Sequence, residues 1–229
     1  TVDPDDDRVF YVITEDGSYA EPMSEFCQQK YLNSGSTSFP KLLVRLELQA
    51  DKIMLITHIR PIRFTVDMQI GDFPNDGIEA LTFGQARTLY LGIEKDSSKN
   101  ARIFSLQMHS EFWQSDEFAD VKKNNLKLPV FESGNHPING MDYYQTSDGR
   151  EFLLVAARND EALWVVDLSG KKDTLILPID FFAEIKHSTQ GCEDYEAMDN
   201  ASIEGVAVID DKLWLINDPW KAVYLNNVK

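Results

Sequence analysis

Three polar residues recur at one place in a repeated motif. They are Glu79 in Ile78-Glu79-Ala80, Asn139 in Ile138-Asn139-Gly140 and Glu204 in Ile203-Glu204-Gly205. Two carboxylates and an amide carbonyl are hard oxygen donors. Converging with backbone carbonyls and water, such donors suit calcium rather than zinc or copper. Their other use is structural, each closing a turn by hydrogen-bonding nearby backbone as Asx-type residues do. A second polar set, the crests, follows each motif at Glu94, Asn159 and Asn217-Asp218, with Glu15 at the corresponding place near the N-terminus. Crest residues join the first set, form a second ring or close turns. Lys95, Lys99, Arg102 and Arg158 lie on or beside the crests and are candidates to hold an anionic substrate, Arg158 and Lys95 foremost. Arg158 stands where the other repeats carry an apolar, acidic or amide residue. Its structural use is an ion pair with Asp160 or with a neighbouring repeat's acid.

Other chemistries lack their residues. No G-x-S-x-G elbow is present, which argues against an α/β-hydrolase type of serine esterase. No glycine-rich phosphate loop or dinucleotide fingerprint occurs. His58, His109, His136 and His187 are scattered, and only His136, three residues before Asn139, is near a motif. Cys27 and Cys192 are compatible with one disulfide or two free thiols, and no Cys/His cluster points to structural zinc. Asn200-Ala201-Ser202 is a weak glycosylation sequon.

The elements that position these residues are short. Apolar runs with β-rich composition alternate with Gly, Asp, Asn and Pro turns, an all-β pattern. Expected strands include Phe10–Thr14, Leu42–Leu48, Ile53–His58, Ile78–Phe83, Leu89–Ile93, Arg102–Leu106, Gly140–Tyr144, Phe152–Ala156, Ala162–Val166, Val206–Ile209, Leu213–Ile216 and Ala222–Leu225. Short helices are expected only within Met23–Leu32 and Ser110–Lys123. The three motifs lie 60 and 65 residues apart. Each leads into a strand, a tight turn (GQAR, TSDGR, IDDK), a second strand, a crest and a third strand. A fourth copy is visible from its second strand onward in VDPDDDRVFYVITEDG, so the chain seen here is expected to start inside its first repeat.

Sequential antiparallel units at a fixed period predict a β-propeller of four-stranded blades. One small sheet cannot bury both faces alone, and packing blades around an axis covers them. Residues 1–229 then form a single propeller domain with four units visible, from a ring of about five or six blades. The motif before each first strand points at the axis, bringing Glu79, Asn139 and Glu204 to one mouth of the channel. A β-sandwich is the alternative architecture, and it does not explain the repeated motif. Trp214 and Trp220 in the last repeat either form a binding surface or, for Trp214, pack between blades.

Bulk properties narrow the partners. The net charge of −16 repels a phosphate backbone, so nucleic acid is excluded as a partner. No apolar run reaches the roughly 20 residues of a membrane-spanning helix. The acidic runs Asp3–Asp7 and Glu193–Glu196 read as solvated loops.

The segments IEAL, LYLGIEK and ARIFSL, with IEGVAV and LWLINDP, resemble the phytase-like or esterase-like β-propellers, a group that includes the SdiA-regulated proteins. FLLVAARNDEALWVVDL resembles their middle blade. The resemblance implies a periplasmic or extracellular protein with calcium near the axis, and Glu79 and Glu204 as its ligands. Asn139 departs from the acidic pattern. Two functions follow as expectations. One is a calcium-dependent phosphoesterase or esterase acting on a small anionic substrate. The other is a non-catalytic propeller that binds a ligand or protein partner.

Overall fold

The turn Gly84-Gln85-Ala86-Arg87 shows how this chain folds locally. Ala86 and Arg87 take left-handed backbone (φ 50° and 56°), which reverses the chain between two strands in register. Asp210 and Asp211 do the same (φ 52° and 58°), as a two-residue hairpin whose twist matches its strands requires. A computed structural model gives the structure, and it describes residues 1–14, 41–68, 70, 77–96, 98–179 and 203–217. Among these residues the protein is all-β, with short 3₁₀ turns and no α-helix. The chain divides into two compact units, Thr1–Asn125 and Leu126–Lys229.

The first unit holds two four-stranded sheets. One runs in the order β1 (Val9–Ile13), β2 (Lys41–Leu48), β3 (Met54–Arg63) and β7 (Ala119–Asp120). The other runs β4 (Ile78–Phe83), β5 (Thr88–Ile93), β6 (Arg102–Gln107) and β8 (Lys122–Lys123). All pairings are antiparallel except β3 with β7. β7 and β8 are consecutive in the chain yet close the edges of different sheets. Val121 between them is buried and donates its N–H to the Arg63 carbonyl at 3.1 Å.

Strand alternation builds the core. Leu89, Leu91 and Ile93 of β5 are nearly inaccessible and meet Val9 and Tyr11 of β1 and Leu43 of β2 in one apolar cluster. Phe64 and Phe104 meet edge to face at 5.2 Å, as do Tyr11 and Phe83. The helix expected within Ser110–Lys123 is a single 3₁₀ turn, Phe112–Gln114, followed by β7 and β8. Burying Phe112, Ala119 and Val121 while completing two sheet edges requires extended chain there.

The second unit holds one four-stranded sheet and a hairpin. The sheet runs β12 (Leu175–Pro178), β11 (Ala162–Asp167), β10 (Glu151–Ala157) and β9 (Gly140–Gln145). The hairpin is β13 (Ile203–Ile209) with β14 (Lys212–Asn217), and β13 packs against β9 and β10. Trp164 and its cross-strand partner Val155 are fully buried. The expected segments Met23–Leu32 and Ala222–Leu225 lie outside the described residues, as do Cys27 and Cys192.

An ionic clasp holds the N-terminal segment in the first unit. Arg87 donates to Asp3 twice, from Nη2 to Oδ2 at 2.7 Å and from Nη1 to Oδ1 at 3.1 Å, and also to Asp5. The Tyr11 hydroxyl donates to the same Asp3 carboxylate. Burial pushes the Asp3 carboxyl up, but the bonds from Arg87, Tyr11 and the Asp5 amide outweigh it and hold it at about 2. A carboxyl depressed by folding stabilises above its unfolded value of 3.8 and loses that contribution as pH falls through the folded value. Urea titrations should therefore show a loss of about 2 kcal/mol between about pH 4 and pH 2, and Asp3→Asn should abolish this component of the acid sensitivity.

Candidate functional site

The recurring motif has a recurring backbone geometry. Ile78 pairs with Ile93 and Ala80 with Gly92, so Glu79 is the extra residue of a β-bulge. Ile203 pairs with Asn217 and Gly205 with Ile216, so Glu204 is the extra residue of a second bulge at the same place. A bulge frees one side chain from the pleat and re-aims it. Asn139 immediately precedes β9, and its N–H donates to the carbonyl of Ala156, the residue opposite Gly140.

In the second unit two of these positions meet. A Cβ at Gly140 would lie 2.7 Å from the Glu204 carbonyl oxygen and 3.0 Å from the Gly205 Cα. The small residue after Asn139 is thus required by a neighbouring backbone. Arg158 opens the 3₁₀ turn that follows β10, and its Nη1 donates to Glu204 Oε1. Both side chains are about 30% exposed. This is an ion pair between a crest and the next repeat's first strand. Asn139 is 5% exposed, and its Oδ1 accepts no hydrogen bond. The residue after Asn139 therefore lies against the Glu204 backbone, Arg158 reaches the Glu204 side chain, and Asn139 Oδ1 is a buried acceptor without a donor.

Glu79 and Lys95 belong to the first unit. Both are partly buried and both have interaction partners. Other crest residues close turns. The Asp96 carboxylate, 3% exposed, accepts the N–H groups of Ser98 and Asn100 at 2.8 and 3.1 Å and Arg102 Nη1 at 3.1 Å. Asn159 Nδ2 donates to the Asn135 carbonyl at 2.9 Å. Lys99 is exposed. Trp214, expected between blades, is 54% exposed, because its strand β14 has only β13 beside it among the described residues. Glu15, Asp218, Trp220, His187 and Asn200 lie outside the described residues.

Sequence reasoning missed most of a cluster beside Asn139. The His136 ring stacks on Phe131 at 3.6 Å, and Phe131 lies 6.0 Å from Trp164. His136 Nδ1 faces Asp160, and Nε2 faces the Ser133 carbonyl at 2.9 Å. With an oxygen acceptor at each nitrogen, both contacts are hydrogen bonds only when the ring is protonated. Burial pushes its pKa down, but the Ser133 carbonyl and the Asp160 carboxylate outweigh that and raise it. Asp160 Oδ2 and Trp164 Nε1 are buried without hydrogen-bond partners. The one legible signal was the closeness of His136 to the motif. Phe131 has no periodic neighbour to mark it.

Among the described residues, no three His, Cys, Asp or Glu side chains converge as a metal-binding group. No family model, curated protein or solved structure matches the chain.

Two substitutions test this neighbourhood. Gly140→Ala forces a Cβ onto a backbone oxygen that cannot swing aside, and should cost about 1–3 kcal/mol in denaturant unfolding. His136 contributes stability below its unfolded pKa and loses it as pH rises through its elevated folded value. The melting temperature should therefore fall as pH rises through and above the ordinary histidine value of 6.5, and His136→Gln should flatten that dependence.

Proposed function

We propose that the protein is a calcium-binding β-propeller of the phytase-like or esterase-like type, exported to the periplasm or beyond. The observation that carries this reading is the buried Asn139 Oδ1 without a donor, at the motif position that Glu79 and Glu204 occupy in their own repeats. A buried acceptor left unsatisfied is costly, and a hard cation is a partner suited to an amide oxygen. The donor chemistry fits calcium: Asn139 would hold the ion with Glu204, whose other contact is Arg158, and Glu79 is the equivalent ligand in its own repeat. Bound there, calcium would supply positive charge for an anionic substrate in a metal-dependent phosphoesterase or esterase.

A second reading has an observation of its own. Arg158, the foremost candidate to hold substrate, is engaged by Glu204. That favours a propeller in which metal and ion pair rigidify a surface for a ligand or protein partner. Thermal unfolding in excess chelator and in millimolar calcium tests the metal. Calcium should raise the melting temperature of the wild type, and the gain should shrink in Asn139→Leu. Equal melting temperatures in both conditions would sink the calcium reading. Where calcium stabilises, turnover of phosphomonoesters or carboxyl esters selects the hydrolase, and stabilisation without turnover selects the binding protein.

A further inference from the structure

Seven of the eight arginines lie within ion-pair distance of a carboxylate: Arg8, Arg45, Arg63, Arg87, Arg102, Arg150 and Arg158. Arg60 on β3 is the exception, with no ion pair to a described carboxylate. Its Nε donates to the Glu117 carbonyl at 2.8 Å, and its Nη1 donates to the Phe112 carbonyl. The guanidinium carbon sits 4.4 Å from the centroid of the Phe112 ring. These contacts fix the plane of the cation, and among the described residues no carboxylate touches it; Asp116, Glu117 and Asp120 act on its charge only from a distance. Burial, which penalises that charge, lowers its pKa from the ordinary value. In a chain of net charge −16, a half-buried arginine without a contacting acid is unusual.

Arg60 opens on a cleft of about 320 Å³ in the first unit, lined by β3's neighbour β7, the end of β6 and the start of β8. Lys122 and His109 are on its wall, both exposed, and Lys122 makes no ion pair among the described residues. Phe118, half-buried, supplies apolar surface, while the Phe112 ring is buried under the guanidinium. The lining carboxylate, Asp120, is taken by Arg63 Nε at 2.5 Å.

We propose that this cleft binds a small aromatic carboxylate, its oxygens on Arg60 and Lys122 and its ring against Phe118. With Nε and Nη1 held by carbonyls, Nη2 makes no hydrogen bond among the described residues and is left to donate to a carboxylate. The volume is at the low end for a ligand site and suits a single ring. Asp116, Glu117 and Asp120 add negative potential around Arg60 and disfavour a doubly charged phosphate. The inference is independent of calcium.

The test is a titration of the full chain with benzoate at low salt and in excess chelator, read from amide NMR shifts of residues 118–122. Benzoate should saturate, neutral benzamide should not, and phenyl phosphate should bind more weakly than benzoate. Lys122→Ala, at an exposed side chain, should weaken benzoate by about tenfold, the loss expected for one charged hydrogen bond. Arg60→Lys should weaken it as well, and Lys122→Ala keeps the test decisive should that variant fail to fold. The proposal is overturned by absence of saturable shifts, by equal binding of benzamide, by tighter binding of phenyl phosphate, or by an unchanged affinity in Lys122→Ala.

Discussion

The repeated motif is first a backbone constraint. At Glu79 and at Glu204 the strand carries one residue more than the partner it pairs with. The extra residue must leave the pleat, so its side chain is directed away from the sheet's ladder. In the second unit the next repeat's backbone comes so close that no Cβ fits at Gly140. A small residue after the motif's polar position is therefore set by packing before any ligand is considered. What packing leaves open is the fate of the polar side chain. Glu204 takes a guanidinium, and Asn139 Oδ1 takes nothing from the protein.

Each sheet is too small to cover its own faces, so links between sheets matter more than any single strand. Among the described residues of the first unit, two stand out beside the shared apolar cluster. Arg87, displayed by the left-handed turn between β4 and β5, reaches the Asp3 carboxylate ahead of β1. The segment Ala119–Lys123 then crosses from β3 of one sheet to β6 of the other. The first link is electrostatic and fails in acid. The second rests on backbone pairing around buried Val121 and does not titrate. In the second unit the corresponding link is Arg158 with Glu204, more exposed than Asp3 and so worth less.

The strands were legible because their signal is local. Ile78–Phe83 falls where alternation and flanking turns place it, and Leu89–Ile93 needs only Thr88 added. The turns GQAR and IDDK announced themselves by composition, although left-handed Ala86 and Arg87 are not glycine. The all-β class and the place of the motifs followed from those signals. The Arg158 ion pair was legible as one of two uses, and its partner is an acid 46 residues away. The strands β7 and β8 were not legible, since a two-residue strand has no period and exists only because an edge is there to receive it. Nor was the His136 cluster, whose members Phe131, Asp160 and Trp164 come from separate segments. Long-range partners of this kind depend on register and packing, which composition does not encode.

Charge is managed by the same economy throughout. Acids outnumber bases 38 to 22, and two arginines are placed where an acid would otherwise be costly. Arg87 meets Asp3, with its side chain 7% exposed, and Arg102 meets Asp96, with its side chain 3% exposed. Removing water from a carboxylate without a partner is expensive, and a guanidinium offsets it with directed hydrogen bonds. Arg60 departs from this rule in a definite way. Its donors go to neutral carbonyls, so its position is fixed without a carboxylate in contact, and Asp116, Glu117 and Asp120 act on it only from a distance. A cation used only to hold two carbonyls could be replaced by neutral donors with less desolvation. Beside an open cleft, that cation is placed to meet a negative charge that arrives from outside the chain.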